Sequence, residues 1–335
     1  MANKSVWLVF FEGIKIYVLN IHKFLLYMAF PVLGQIVGLF LIFGLTFWFT
    51  QNMQDIAVKY QSLNNMSTMI TLIVVSVIPG LLILIKAFWD YLVAFVALNS
   101  MTEGYMNTGR VYDFKAHNSV ATQKPFSFIA IWFLISIMSI VGIIPFFMII
   151  GAIFFVYFCL VFQVFTFENG LSPVGYFRRS LELVKGNFAR TFALMVILTI
   201  LTYCLLVQGL GVLFDAFNWT QMLEKMFEAW AFTLPLELVK VVDVTPAMVG
   251  SALVKCLISF VVVGFTMPLR SICWSLWYNC LAEDDKPASA VKKTRKRSIK
   301  KSNGGQKPVA KTFKIEKRGI DPEIIRRARL EDDEY

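Results

Sequence analysis

Several uninterrupted apolar runs constrain this chain more than any other feature of its sequence. They exceed the ~20 residues that an α-helix needs to cross a hydrocarbon core about 30 Å thick. Only 16% of the residues are charged, whereas a soluble domain averages about a quarter. The alternation of polar and apolar residues that marks the strands of a membrane barrel does not occur in these runs. The sequence therefore predicts an all-α fold, a polytopic membrane helix bundle.

The apolar runs divide into about six transmembrane helices within a transmembrane domain that covers 1–282. Their predicted bounds are about 24–50, 68–90, 126–142, 145–165, 191–214 and 248–270. Basic residues concentrate in the short loops on one side, which places both termini in the cytoplasm by the positive-inside rule. An alternative joins the third and fourth runs into one helix broken at Pro145, which would reverse the second half and put the C-terminus outside.

A polar island separates the fourth and fifth runs, from Glu168 to Arg190. Ser172 is a good helix N-cap, Pro173 fits the first helical position, and Gly186 suits the C-terminal cap. The apolar residues of the intervening helix recur at helical spacing: Val174, Phe177, Leu181 and Val184. The other faces carry Arg178, Arg179, Glu182 and Lys185. The helix is too short and too charged to span a bilayer, so we expect it to lie in the cytoplasmic interface.

Two further amphipathic helices are expected at the interfaces. The first covers 5–21 and leads into the first span, with Glu12 and Lys15 inside an apolar stretch. The second falls in an acidic outer loop, 215–246, where bulky apolar residues recur at helical spacing from Trp219 to Trp230. Tryptophan is typical of membrane interfaces, so this helix is predicted to lie on the outer leaflet.

Charged residues in or beside the spans are the candidates for an anionic headgroup or partner contact. They are Lys86, Asp90, Arg178, Arg179, Lys185, Lys255 and Arg270. Lys86 and Asp90 lie four residues apart and can pair on one helix face, while Lys255 is the deepest charge. Ionisable residues within spans are often functional. Anchoring by snorkelling and structural ion pairing are the alternatives.

The tail, 283–335, changes composition abruptly and is predicted to be a largely disordered cytoplasmic segment. Its basic block can contact anionic lipid through Lys292, Lys293, Arg295, Lys296 and Arg297. A topology signal with a solvated tail is an equal alternative, and contact with nucleic acid, a ribosome or a protein partner stays open.

Motifs for catalysis, cofactors or metals are missing from the sequence. It contains no P-loop, no GxSxG, no HExxH and no Rossmann glycine pattern. The five cysteines include no CxxC, and there are only two histidines. We therefore expect no enzyme activity, no cofactor and no metal.

A short pattern around the polar island resembles a known membrane family. The residues that carry it are Phe167-Glu168-Asn169-Gly170, followed by Arg179-Ser180-Leu181-Glu182-Leu183-Val184-Lys185-Gly186. They resemble the membrane-domain family associated with glycerophosphodiester phosphodiesterases, and related bacterial inner-membrane proteins of unknown function. The resemblance implies an integral protein of the bacterial plasma (inner) membrane. It does not imply phosphodiesterase activity, because the soluble barrel that performs it, with its His-Arg-Gly start, has no counterpart in this sequence.

Three functions fit these observations in decreasing order. The first is a non-enzymatic integral membrane protein that organises or traffics envelope lipids or membrane partners through its cytoplasmic helix. The second is a small secondary transporter or lipid flippase with a charged site between spans two and six. The third is a membrane enzyme acting on a lipid headgroup, which the lack of clustered carboxylates or histidines disfavours.

Overall fold

A computed structural model of the protein describes residues 5–59, 65–109, 111, 114–144, 148–231 and 245–284. The regular structure in these ranges is helical. In chain order the elements are α1 Val6–Leu19, α2 Ile21–Lys59, α3 Met66–Thr108, α4 Phe114–Thr122, α5 Pro125–Ile143, α6 Met148–Phe158, α7 Val161–Phe167, α8 Pro173–Val184, α9 Phe188–Thr199, a π-helical segment Ile200–Val207, α10 Gln208–Ala216, α11 Trp219–Ala231 and α12 Pro246–Asp284.

The prediction of an all-helical membrane protein with six spans is confirmed. The helical segments long and apolar enough to cross a bilayer are Ile21–Phe49, Thr71–Thr108, Pro125–Gly142, Met148–Phe167, Phe188–Ala216 and Pro246–Glu283. The second and sixth contain 38 residues each, about 57 Å at 1.5 Å per residue, which is nearly twice the thickness of a hydrocarbon core. Both helices therefore continue well past Asp90 and Arg270, where the predicted spans end. The sequence also predicts such continuations, to about Met101 and Ala282.

The chain divides into two compact units. The first unit contains Met1–Asn20, Phe95–Val196 and Pro268–Tyr335. It therefore holds α1, the helices from α4 to α8, most of α9, and the C-terminal parts of α3 and α12. The second unit contains Ile21–Ala94 and Ile197–Met267, that is, α2, the end of α9, the π-helical segment, α10, α11 and the N-terminal parts of α3 and α12. The two long helices thus contribute to both units.

Within the first unit, α5 and α6 pack side by side as a hairpin. A Cβ atom placed on Gly151 would lie 2.9 Å from the Cα atom of Gly142, so the two backbones approach very closely. Two helices that run back along each other cannot form one broken span. This contact argues against the alternative topology, although Pro145 itself lies outside the described residues.

Within the second unit, α2 and α3 also meet through glycine. A Cβ atom on Gly38 would lie 2.9 Å from the carbonyl oxygen of Gly80 and 2.9 Å from the backbone nitrogen of Leu84. Small residues allow such close helix contacts in membranes, where van der Waals packing drives association. The core of this unit is built further along the chain, where Phe227 of α11 and Val254 and Ile258 of α12 are buried together.

Replacing Gly38 by alanine is expected to lower the stability of the protein by about 1–3 kcal/mol, because the added methyl group meets backbone atoms that cannot move aside. Thermal unfolding in detergent micelles measures the change. The matched control is Gly44→Ala on the same helix, where an added Cβ atom has nothing within 4 Å. Equal unfolding temperatures for the two variants would show that the α2–α3 contact is looser than described.

Candidate functional site

The polar island forms α8, and local chemistry sets both of its ends. The Ser172 hydroxyl accepts a hydrogen bond from the backbone N–H of Gly175 at 3.1 Å, and Pro173 occupies the first turn. Gly186 follows the helix with φ +87°, the left-handed conformation that glycine adopts without strain. The predicted cap residues are therefore confirmed.

The buried face of α8 differs from the predicted apolar stripe. Its buried residues are Tyr176, Phe177, Ser180, Leu183 and Val184. Val174 and Leu181, which were predicted to share that face, are 69% and 37% exposed. The reason is that α8 packs on α5, α6 and α7 of the first unit, which rotates the buried face. Ser180 belongs to this face because its hydroxyl donates to the carbonyl oxygen of Tyr157 at 2.7 Å.

The rotation leaves an exposed stripe of alternating apolar and basic residues along α8: Val174, Arg178, Leu181 and Lys185. All four are exposed. Their spacing of four, three and four residues places them on one face of the helix. Arg178 pairs with Glu182 at 3.2 Å, but its side chain is 81% exposed, and such surface pairs are weak. The basic charge of the stripe is therefore available to a ligand.

A buried carboxylate holds α8 in place. Glu168, the first residue after α7, is 5% exposed. Its Oε1 accepts hydrogen bonds from Arg179 Nε at 3.1 Å and from the Tyr278 hydroxyl at 2.8 Å. An ionised carboxylate away from water is costly unless it is paired, and Arg179, whose side chain is 21% exposed, supplies the opposite charge. This Glu168 clamp (Glu168, Arg179 and Tyr278) ties the loop between α7 and α8 to α8 itself and to α12.

A second contact fixes the start of the island. Lys124, immediately before α5, donates to Asn169 Oδ1 at 2.9 Å and approaches the Tyr176 hydroxyl at 3.5 Å. Tyr176 is fully buried. The loop that leads into α8 is therefore held from both sides, and the exposed stripe is presented by a rigid support.

A neutral polar cluster lies beside the clamp in the first unit. Asn99 of α3 is completely buried. Its Oδ1 accepts from Gln163 Nε2 at 3.2 Å, from the Ser275 hydroxyl at 3.2 Å and from the Ser271 hydroxyl. Its Nδ2 donates to Thr166 Oγ1 at 3.4 Å. We call Asn99, Gln163, Thr166, Ser271 and Ser275 the Asn99 cluster; it joins α3, α7 and α12 by hydrogen bonds between membrane helices.

The clamp and the cluster are adjacent along their helices. Ser271, Ser275 and Tyr278 are separated by four and three residues, so they occupy one face of α12 on successive turns. Thr166 and Glu168 are likewise two residues apart. One oxygen in each group, Gln163 Oε1 and Glu168 Oε2, is buried and accepts no hydrogen bond from the described residues. Polar groups thus continue for about two helical turns through the first unit.

An open cavity of about 650 Å³ lies among α1 and the C-terminal ends of α3 and α12. Charges of both signs line it: Glu12 and Lys15 from α1, Glu103 from α3 and Glu283 from α12. Within the described part of the chain, no three His, Cys, Asp or Glu residues are placed to hold a metal ion. The cavity is therefore a charged recess in the first unit, distinct from the exposed stripe.

The candidate residues named from the sequence fall into both units. Lys86, Asp90 and Lys255 belong to the second unit, and Arg178, Arg179, Lys185 and Arg270 to the first. Lys86 pairs with Asp90, as predicted, and lies 5.8 Å from the centre of the Phe30 ring. Lys255 is exposed and Arg270 is half-buried. Arg178 and Arg179 both contact Glu182, Arg179 at 3.7 Å. The basic block from Lys292 to Arg297 lies outside the described residues.

The Asn99 cluster and Tyr278 were missed by the sequence analysis. Each of these residues is a single uncharged polar side chain in an apolar run, and such isolated residues do not by themselves indicate a site. The available signal is periodic: Ser271, Ser275 and Tyr278 recur at helical spacing within the sixth span. In the first unit, Asn99 of the second span is hydrogen-bonded to Ser271 and Ser275 of the sixth span, and all three side chains are uncharged. The site predicted from the sequence between these two spans consisted of charged residues.

No family model, no curated protein and no solved structure matches this chain. The resemblance of the polar island to the membrane-domain family therefore stays a prediction, and the function has to be argued from the geometry.

Proposed function

We propose that this integral membrane protein is a non-enzymatic organiser of envelope lipids, which gathers anionic lipids through the exposed stripe of α8. The observation that carries the proposal is the stripe itself. Val174 and Leu181 present apolar side chains to the surroundings, and Arg178 and Lys185 present positive charges that alternate with them along the helix. This alternation suits the boundary between acyl chains and headgroups, where apolar burial and attraction to phosphate add together.

The rigid support of α8 strengthens this reading. A free amphipathic peptide loses conformational entropy when it binds a membrane. The Glu168 clamp and the Ser180–Tyr157 hydrogen bond order α8 beforehand, so the helix can bind lipid without that loss. A partner protein could use the same surface, and the experiment below separates the two.

The proposal places α8 and both termini on the cytoplasmic side of a bacterial inner membrane. The basic residues of α8 and of the tail support this orientation by the positive-inside rule. Anionic lipid would then meet two basic surfaces, the stripe and the segment from Lys292 to Arg297. Each basic residue near such a membrane surface contributes about 1 kcal/mol.

The test is reversal of the stripe's charge in the full-length protein. Arg178→Glu together with Lys185→Glu is made in a chain that carries a fluorophore at Val174→Cys, with the exposed Cys204 and Cys256 replaced by alanine. Energy transfer to acceptor-labelled phosphatidylglycerol, compared with acceptor-labelled phosphatidylcholine, reports local enrichment in vesicles. We expect the unreversed chain to enrich the anionic lipid and the reversal to reduce that enrichment roughly fivefold for each charge. The enrichment should also fall as salt is added.

The control changes the net charge equally elsewhere. Lys59→Glu with Lys225→Glu alters two exposed lysines on α2 and α11 and should leave the energy transfer unchanged. Enrichment that survives the reversal of Arg178 and Lys185 contradicts the proposal. Loss of a co-purified protein in that variant, with lipid enrichment intact, would identify α8 as a protein-binding helix instead.

A further inference from the structure

The second unit contains an apolar groove built by α2, α11 and α12, and no residue of α8 lines it. One cavity of about 250 Å³ lies between α2 and α12, lined by residues that include Leu39, Phe40, Leu257 and Phe260. A second cavity of about 140 Å³ lies between α2 and α11, lined by residues that include Phe47 and Trp230. The two cavities are adjacent, because both are lined by Phe40, Phe43 and Phe227, and together they are named here the phenylalanine groove.

The walls of the groove are rigid and almost wholly apolar. Phe227 packs on Phe40 with ring centres 5.8 Å apart, and Trp230 packs on Phe43 at 4.5 Å. The lining contains no charged side chain, and its polar side-chain atoms are the thiol of Cys256 and the indole N–H of Trp230. A groove of this kind does not hold water, because water needs two to four polar partners.

The groove opens onto the lipid-facing surface of the spans. Leu39 and Cys256 line it and are both exposed. Ile36, which lies one turn before Leu39 and Phe40 on this face of α2, also lines the groove and is half-buried. Exposed apolar side chains on a membrane span contact acyl chains, so the groove is continuous with a surface that hydrocarbon already covers.

We propose that the phenylalanine groove holds one acyl chain of a membrane phospholipid. An empty groove would forfeit the dispersion contacts of its walls, and an acyl chain can enter it directly from the bilayer. The lining of the two cavities follows α2 from Ile36 to Phe47, about three helical turns, which suits a linear chain and not a compact ligand. Each methylene group of the acyl chain that contacts the apolar wall contributes favourably to the free energy of binding.

Lys255 provides the matching charge for the headgroup. It precedes Cys256 on α12, and it is exposed. It lies in the span Pro246–Glu283, and the described residues place no carboxylate in a salt bridge with it. A lysine inside a span extends its flexible stem so that the ammonium group reaches the interface. The phosphate of a lipid whose acyl chain fills the groove supplies the anion there.

The experiment fills the groove with a side chain. Gly44 lines the smaller of the two cavities, and a Cβ atom there meets nothing within 4 Å, so we expect Gly44→Leu to fill the space and leave the helix packing unchanged. Full-length protein is placed in phosphatidylcholine vesicles with a trace of phosphatidylcholine that carries a photoreactive acyl chain. We expect cross-links on 36–47 and 253–260 that excess unlabelled lipid reduces, and an approximately tenfold loss in Gly44→Leu.

The matched control is Gly209→Leu in α10, another glycine with open space around it. It should leave cross-linking at the groove unchanged. Equal cross-linking in Gly44→Leu and the unaltered chain overturns the proposal. So does the loss of a dimer in Gly44→Leu without any change in lipid, which would make the groove a protein interface.

Two further measurements do not depend on Gly44→Leu. In short-chain detergent, added phospholipid should slow the alkylation of Cys256 in a saturable manner, while Cys204, which is exposed elsewhere in the second unit, reacts at a constant rate. Lys255→Gln should weaken that protection severalfold. Unchanged alkylation of Cys256 contradicts the proposal. Because α8 belongs to the other unit, failure here leaves the role of the exposed stripe untouched, and the converse also holds.

Discussion

Replacing Glu168 by alanine is expected to destabilise the first unit by about 3 kcal/mol. The change removes the anion that neutralises Arg179 and the acceptor of the Tyr278 hydroxyl at 2.8 Å. Removing one partner of a buried ion pair costs about 3–5 kcal/mol, because the other charge is left uncompensated. We place the loss at the lower end since Arg179 keeps Glu182 at 3.7 Å. Unfolding by a denaturing detergent, followed by circular dichroism, measures it.

The matched control is Glu182→Ala, which breaks the exposed ion pair with Arg178 and the longer contact with Arg179 at 3.7 Å. Arg178 and Glu182 are 81% and 47% exposed, so this pair should contribute less than about 1 kcal/mol. A double-mutant cycle of Glu168→Ala and Arg179→Ala should show coupling, with the double variant losing less than the sum of the two single losses. If Glu168→Ala and Glu182→Ala cost the same, the clamp does not hold α8.

The same variant also bears on function. Without the clamp, α8 loses one of its anchors, so the exposed stripe is presented less rigidly. We therefore expect Glu168→Ala to lower the enrichment of anionic lipid around Val174 even though it leaves Arg178 and Lys185 unchanged. Its effect on photo-cross-linking in the phenylalanine groove should be small by comparison.

Local chemistry explains why parts of α8 could be predicted from the sequence. Ser172, Pro173 and Gly186 act within a few residues of themselves, so their roles follow from spacing alone. The six spans could also be predicted from the sequence, because the length and hydropathy of an apolar run suffice to identify a span. The buried face of α8 could not be assigned in this way. Val174 and Leu181 satisfy the helical period, but the neighbouring helices of the first unit decide which face is covered.

The clamp and the cluster lay beyond sequence reasoning because their partners are distant in the chain. Glu168 and Tyr278 are 110 residues apart, and Asn99 and Ser275 are 176 residues apart. A polar residue in an apolar run shows only that some partner is needed, since an unsatisfied group in hydrocarbon is costly. It does not show which one. The charged residues named from the sequence do not include Asn99, a neutral residue with four side-chain hydrogen-bond partners.

Asn99→Leu is expected to destabilise the first unit by about 2–4 kcal/mol, although leucine is close to asparagine in size. The Asn99 side chain is the common partner of Gln163, Thr166, Ser271 and Ser275. Its loss leaves several buried donors without their acceptor, each costing ~1–3 kcal/mol in a protein interior. Hydrogen bonds between membrane helices average only about 0.6 kcal/mol, and Ser271 and Ser275 can turn to other acceptors, which sets the lower limit.

Asn52→Leu is the matched control, because it makes the same replacement at an asparagine whose side chain is hydrogen-bonded within its own helix. Asn52 of α2 makes a local hydrogen bond, from its Nδ2 to the carbonyl oxygen of Trp48 at 2.8 Å, on the exposed surface. Its replacement should change stability by less than about 0.5 kcal/mol. Ser275→Ala removes one donor and leaves Asn99 in place, so its loss of stability should lie between those of Asn99→Leu and Asn52→Leu. A loss in Asn99→Leu no larger than in Ser275→Ala would mean that the hydrogen bonds of the cluster act independently. A clearly larger loss would identify Asn99 as the residue through which α3, α7 and α12 are joined.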